Sequence, residues 1–196
     1  SEAVQVANVA AGLSVESVGV TAVRRRDIVA DILRGAPSRK DKLYSEPELI
    51  AEMNRLRSLG KSIVFTNGCF DLLHSGHIYL LREARSRGDL LVVGLNSDAS
   101  VRSLGKGDGR PIHDHFSRAR VLGALECVDY VCIFEETTPA RLIEGVKPQF
   151  LIKGADFRPE QVAGRDFVES YGGKLILLPL QPEQSTSGAI ERIRKA

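Results

Sequence analysis

Cysteine is scarce, long apolar runs are missing and net charge is close to nil in the 196 residues, and each shortage closes off a class of protein. The three cysteines (Cys69, Cys127 and Cys132) form no CxxC pair and cannot all pair with one another, so a reducing, cytoplasmic setting is expected. No stretch approaches the roughly 18–20 apolar residues that a membrane-spanning helix needs. No basic segment followed by an apolar run marks a secretory leader. The 27 Lys and Arg stand against 25 Asp and Glu, a formal charge of +2, which points to neither nucleic acid nor a membrane surface as partner. Any basic site is therefore local. No internal repeat or low-complexity tract occurs, and the length suits one domain with an appendage.

What is present changes character near residue 45. Residues 1–19 are rich in Ala and Val, as in a helix packed closely against a partner, and "RRRDIVADILRG" reads as a short helix ending at Gly35. "APSRKDKLYS" reads as a linker. "SEPELIAEMNRLRSLG" has the marks of a helix, with Ser45 as N-cap, Pro47 in the first turn and Gly60 as the stop. Beyond it, short apolar runs at 62–67, 90–96, 130–134, 150–154 and 174–180 alternate with helical candidates "GHIYLLREARSRG", "HFSRARVLGALE", "TPARLIEGV", "FVESYGG" and "SGAIERIRKA". Near-continuous apolar strands alternating with helices predict an α/β fold, a Rossmann-like doubly wound parallel five-stranded sheet with an N-terminal helical appendage.

Ligands of such sheets bind beyond the carboxyl ends of the strands. "TNGCFDLLHSGH", residues 66–77, occupies that place after the first strand. Gly68 permits an unusual turn or close approach of a ligand. Gly76 lies in the opening turn of a helix, whose unpaired N–H groups favour phosphate. His74 and His77 are three residues apart, so both can face one side of that turn. Three readings compete at this point: a metal pair, which lacks a third and fourth ligand nearby; a helix cap with solvent-facing histidines; and a phosphate grip.

The full pattern T-x-G-x-F-D-x-x-H-x-G-H resembles the signature of the HxGH nucleotidyltransferase superfamily, and no KMSKS-like segment points to a synthetase. Further segments, "VVGLNSDASVRSLGKGDGRPI", "RARVLGALECVDYVCIFEETTPARLIEGVKPQFLIKGADF", "VAGRDFVESYGGKLILLPL" and "STSGAIERIR", are similar to the adenylyltransferase of bifunctional heptose 7-phosphate kinase/heptose 1-phosphate adenylyltransferases. The resemblance covers roughly residues 47–196. It implies transfer of AMP from ATP to a heptose 1-phosphate on the way to the lipopolysaccharide core, with Mg²⁺ carried by the nucleotide phosphates and no metal site of the protein's own. It assigns catalytic charge stabilisation to His74, His77, Lys106 and Arg118. Nucleotide contacts fall to Thr66, Asn67, Gly68, Cys69, Phe70 and Gly76, to Lys153, Gly154 and Asp156 after the fourth strand, and to Ser185, Thr186 and Ser187 before the last helix. Substrate contacts fall to Asp71, Asn96, Asp98 and Arg110, the last on the glycine-rich segment "LGKGDGRP", which reads as a mobile loop; Asp71 is also placed to brace its own loop. Plain structural alternatives stand beside these: a turn cap for Asp156, an ordinary N-cap for the hydroxyl residues, a solvated loop for Lys106 and Arg110. His113, Ala155 and Gly188 depart from the family pattern and bear on the fit of the sugar.

Residues 1–45 are similar to the C-terminal end of a ribokinase-like sugar kinase, without its anion hole or catalytic aspartate. The expected division is a kinase remnant with linker over 1–45 and a nucleotidyltransferase domain over 46–196, linked to the kinase in a longer protein. The first residue, Ser1 rather than Met, agrees with that expectation. An apolar helix over 3–11 lacking its partner would be exposed, disordered or paired in a homo-oligomer. Two other functions remain open from sequence: a cytidylyltransferase acting on glycerol 3-phosphate or a similar small phosphate, and a nucleotide-binding module without turnover.

Overall fold

Apolar strands that must be covered on both faces dictate helices on both sides of a parallel sheet. The computed structural model describes residues 42–179 apart from Lys106 and Asp108, and over that span it has this form. The strands β1 (Ile63–Gly68), β2 (Leu90–Asn96), β3 (Tyr130–Phe134), β4 (Phe150–Gly154) and β5 (Lys174–Leu178) pair in parallel in the order β3-β2-β1-β4-β5. Between and before them run α1 (Glu46–Ser58), α2 (Ser75–Arg85), α3 (Asp98–Ser103), α4 (His115–Gly123), α5 (Ala140–Val146) and α6 (Arg165–Ser170), with a single 3₁₀ turn at Pro159–Gln161.

The period-2 alternation of β1 divides the core. Ile63 and Phe65 point to one face, where Leu49 and Met53 of α1 and Ile143 of α5 cover them. Val64 points to the other, against Leu81 of α2 and Leu122 of α4. All of these are fully buried. Local chemistry starts the helices where the sequence suggests. Glu48 accepts the Ser45 N–H at 3.0 Å ahead of α1, and Asp114 accepts the Phe116 and Ser117 N–H groups at 2.9 and 3.0 Å ahead of α4.

All five expected strands form. Three details differ from the sequence reading. The polar segment after Asn96 holds a helix, α3, because the Ser97 hydroxyl caps it by accepting the Ser100 N–H at 3.1 Å. The helix begun at His115 ends at Gly123 rather than running to residue 126. The end of the presumed linker is structured: Leu43 bridges Val131 in parallel, and the Lys42 ammonium is held by the Leu125 and Val128 carbonyls. The apolar helix expected over 3–11, the kinase-like segment and the last helix lie outside the described residues. No helix among the described residues is long and apolar enough to cross a membrane.

Two glycines give a contrasted test of this packing. A Cβ at Gly94, in the middle of β2, would lie 2.8 Å from Phe65 Cζ and 3.2 Å from Asn67 Cβ, whereas one at Gly123 meets nothing closer than 3.7 Å. Gly94→Ala is expected to destabilise by about 1–3 kcal/mol through overpacking. Gly123→Ala should be neutral or stabilise by up to about 1 kcal/mol by reducing the freedom of the unfolded chain. Urea unfolding of both variants checks the opposite signs.

Candidate active site

The order β3-β2-β1-β4-β5 reverses direction between β1 and β4, and a crevice of about 810 Å³ opens there at the carboxyl ends of the strands. Its floor is the segment after β1. Phe70 turns the chain with φ +46°, in the left-handed region that residues with side chains rarely enter. Its ring lies across Gly68, where a Cβ would come 3.1 Å from Phe70 Cε2, and sits 5.2 Å from the His77 ring. Gly68 is thus needed for the aromatic ring as well as for approach of a ligand.

α2 starts immediately behind this floor. His74 is its N-cap residue in extended conformation (φ −140°), and Gly76 and His77 of the first turn line the crevice. The two imidazoles stack with centroids 3.8 Å apart and planes inclined by 29°. Burial, and then the neighbouring His74, push His77 down to about 4; burial also lowers His74. Both rings are therefore neutral near pH 7 while no anion is present. The Nδ1 atoms of both are out of solvent without a partner among the described residues, so Nε2 is the atom each ring has left to offer a ligand. The Asn67 Oδ1 atom is buried and unpartnered in the same way. No group of three or more His, Cys, Asp and Glu able to hold a metal ion occurs among the described residues.

Two ion pairs hold this floor in place. Arg118 of α4 is only 2% exposed; it donates to the Cys69 carbonyl, to Asp98 Oδ1 at 2.7 Å and to the His113 carbonyl at 3.0 Å. It does not line the crevice, and neither does Asp98. Arg118, expected at a phosphate, and Asp98, expected at the substrate, face each other: a buried guanidinium needs a carboxylate and fixed carbonyls, and it has them here. Asp71, expected at the substrate or as a brace of its own loop, has several partners. It borders the crevice, but its carboxylate is spent on Arg110 Nε at 2.9 Å and on the N–H groups of Ile112 (2.7 Å) and His113 (3.2 Å). This is the bracing alternative, and it fastens the segment after the glycine-rich loop to the floor. Arg110 borders the crevice from that fastened position.

Several of the remaining candidates are brought together at the crevice. Thr66, Asn67, Cys69, Asn96, Lys153 and Gly154 all line the crevice, as does the exposed Asp156. The Thr66 hydroxyl donates to the Ile152 carbonyl at 3.0 Å and so ties β1 to β4 rather than facing the space. Asn96 donates from Nδ2 to Ser100 Oγ at 2.9 Å. Lys153 donates from Nζ to the Asn67 carbonyl at 3.0 Å and holds its ammonium 4.9 Å from the Phe157 ring centroid. Lys106, Ser185, Thr186 and Ser187 lie outside the described residues. Residues that sequence reading did not single out also form walls: Leu80, Thr137, Thr138, Phe157, Gln161 and Ala163. The hydroxyl pair of "EETTPA" ahead of α5 was the one visible signal among them. The others carry no motif.

Comparison with known proteins follows this geometry. Residues 65–181 match the family model described as cytidylyltransferase-like. The chain is 51% identical over 193 residues to the bifunctional protein HldE of Geotalea uraniireducens (strain Rf4), covering 98% of this chain and 39% of that protein. It thus spans about two fifths of the length of the curated relatives it matches. Among solved structures, the lipopolysaccharide core biosynthesis protein from Thermoplasma volcanium GSS1 superposes with a TM-score of 0.53 at 29% identity, covering 64% of this chain and 100% of that one. Pantoate-beta-alanine ligase from Francisella tularensis superposes with a TM-score of 0.56 at 17% identity over 79% of this chain and 72% of its own, a likeness of fold.

The depressed histidines make stability pH-dependent. With a folded value of about 4 against 6.5 unfolded, the unfolded chain binds the extra proton, so stability is full above pH 6.5 and is lost as pH falls toward 4. His77→Gln should flatten that slope in urea midpoints measured between pH 7 and 4.5. A second variant tests the brace. Arg118→Lys keeps the charge but loses the fork, and an expected cost of about 2 kcal/mol or more in urea unfolding measures the missing contacts.

Proposed function

The chain belongs to the cytidylyltransferase-like family, and on that premise we propose that it is the adenylyltransferase part of a longer bifunctional protein, transferring AMP from ATP to D-glycero-β-D-manno-heptose 1-phosphate with release of pyrophosphate. The observation that carries this reading is the convergence at the β1–β4 switch point of a helix N-terminus with two stacked, neutral imidazoles whose Nδ1 atoms are unpartnered. The sugar is supported by the identity to proteins named HldE along nearly the whole chain and by the resemblance of "LGKGDGRP", "IKGADF" and "STSG". A sugar-kinase region joined to this one is supported by the two-fifths coverage of those relatives.

In the proposed reaction an oxygen of the sugar phosphate attacks the α-phosphorus of ATP in line, and the bond from that phosphorus to the bridging oxygen of the pyrophosphate breaks. The protein needs no covalent nucleophile; it needs donors fixed where negative charge gathers. His74 and His77 hold phosphoryl oxygens from the opening of α2, and an anion against them favours their charged forms, reversing the depression caused by burial. Lys106 is assigned charge stabilisation by the family resemblance, and Asp71 fastens the segment that follows the glycine-rich loop. Lys153 adds positive charge beside the floor, while Arg110 borders it already paired with Asp71. Mg²⁺ fits as an ion carried by the phosphates, with the exposed Asp156 as the residue to hold it or its water, and it would neutralise charge on the leaving pyrophosphate.

Pyrophosphate release, measured with ATP or CTP against heptose 1-phosphates, glycerol 3-phosphate and phosphocholine, tests the reading. Turnover with ATP and a heptose 1-phosphate is expected. Turnover with CTP and a small phosphate alone replaces it with the cytidylyltransferase, and nucleotide binding without turnover replaces it with the non-catalytic module. In the active pairing His77→Ala should lower the rate by about 10²–10³ or more, the scale of losing one preorganised donor.

A further inference from the structure

The crevice has chemically unlike flanks, set by sheet order. β2 lies on one side of β1 and β4 on the other. The residues that end or follow β2 and line the crevice are the Asn96 amide, Leu104 and the paired Arg110. The lining that follows β4 contains Phe157, the Gln161 amide, the buried Val162 and Ala163. Phe157 is the unusual member. Its side chain borders the crevice yet the residue remains 41% exposed, and it belongs to neither buried core. Its recorded ring partner is a cation, the Lys153 ammonium 4.9 Å from the centroid. Lys153 is itself tied to the Asn67 carbonyl on the crevice floor, so the cation that touches the ring also touches the floor.

We infer that Phe157 is the stacking platform for the nucleotide base and a determinant of the preference for ATP over CTP. The inference rests on the adenylyltransfer reading above. Of the two substrates, the nucleotide alone carries a flat π-face, and an aromatic ring exposed at a crevice wall gains from covering one. A purine covers more of the ring than a pyrimidine does, which favours adenine. The Gln161 amide, with one acceptor and two donors, can meet the hydrogen-bonding edge of adenine. The Lys153–Phe157 contact then joins base and phosphate recognition: the same ammonium that rests on the ring reaches the floor where the phosphates are held. The flank after β2, with Asn96 and Arg110, is left for the hydroxyl groups and phosphate of the sugar.

Two variants of the full chain test this. Phe157→Leu keeps apolar bulk and removes the π-face. It should raise KM for ATP by about tenfold, within the range measured for loss of one base–aromatic stack, while KM for heptose 1-phosphate stays within about twofold and the ATP-to-CTP ratio of kcat/KM falls. Phe157→Tyr should restore most of the loss. Phe157→Trp introduces the sole tryptophan of the chain, and its fluorescence should be quenched by ATP alone and not by heptose 1-phosphate alone. An unchanged KM for ATP in Phe157→Leu, or a tryptophan that answers to the sugar phosphate and not to ATP, overturns the inference. Wild-type turnover with ATP and heptose 1-phosphate, run alongside, separates the outcomes. Inactive wild type overturns the functional reading and this inference with it; active wild type with an indifferent Phe157→Leu overturns the inference alone.

Discussion

A guanidinium buried to 2% exposure cannot be left without compensation, and the answer to Arg118 organises the end of the sheet. Its acceptors come from three separate segments: the Cys69 carbonyl after β1, Asp98 at the start of α3, and the His113 carbonyl ahead of α4. Meeting all three at once fixes the floor of the crevice relative to the ends of both β1 and β2. Asp71 repeats the device one residue beyond Phe70, with Arg110 and two backbone N–H groups as its partners. The strained turn at Phe70 persists between these two ties because the surroundings leave it no alternative. The geometry of the crevice floor is therefore held by buried charges that pair with one another.

The histidines depend on that frame. Stacked at 3.8 Å and partly buried, they rest uncharged, which avoids two adjacent positive rings. An anion at the start of α2 changes the balance, since it favours the protonated ring that burial disfavours. On the proposed reading, binding of a phosphate chain and uptake of a proton are linked at this site.

Much of this was legible in the sequence. The five strands follow from apolar runs bounded by turns, and the crevice follows from placing T-x-G-x-F-D-x-x-H-x-G-H after the first of them. The direction in which a charged side chain points was not legible. Arg118 and Asp98 read as ligand contacts because arginine and aspartate near a phosphate motif suggest them, but pairing across 20 residues turned both toward each other. Asp71 carried both readings in the sequence, and tertiary packing selected the brace. Helix α3 escaped notice because four of its six residues are polar and its stability comes from the Ser97 cap and from burial of Val101. Phe157 and Gln161 had no motif; they join the wall because β4 ends beside β1.

The central claim is that the opening turn of α2 and the floor beside it grip a phosphate chain. Amide hydrogen exchange of the full chain, with and without a non-hydrolysable ATP analogue, tests it most directly. The account predicts slowed exchange concentrated at residues 68–70 and 75–78, with β5 and the body of α1 unchanged. Protection that leaves 75–78 untouched and appears elsewhere in the chain would contradict it.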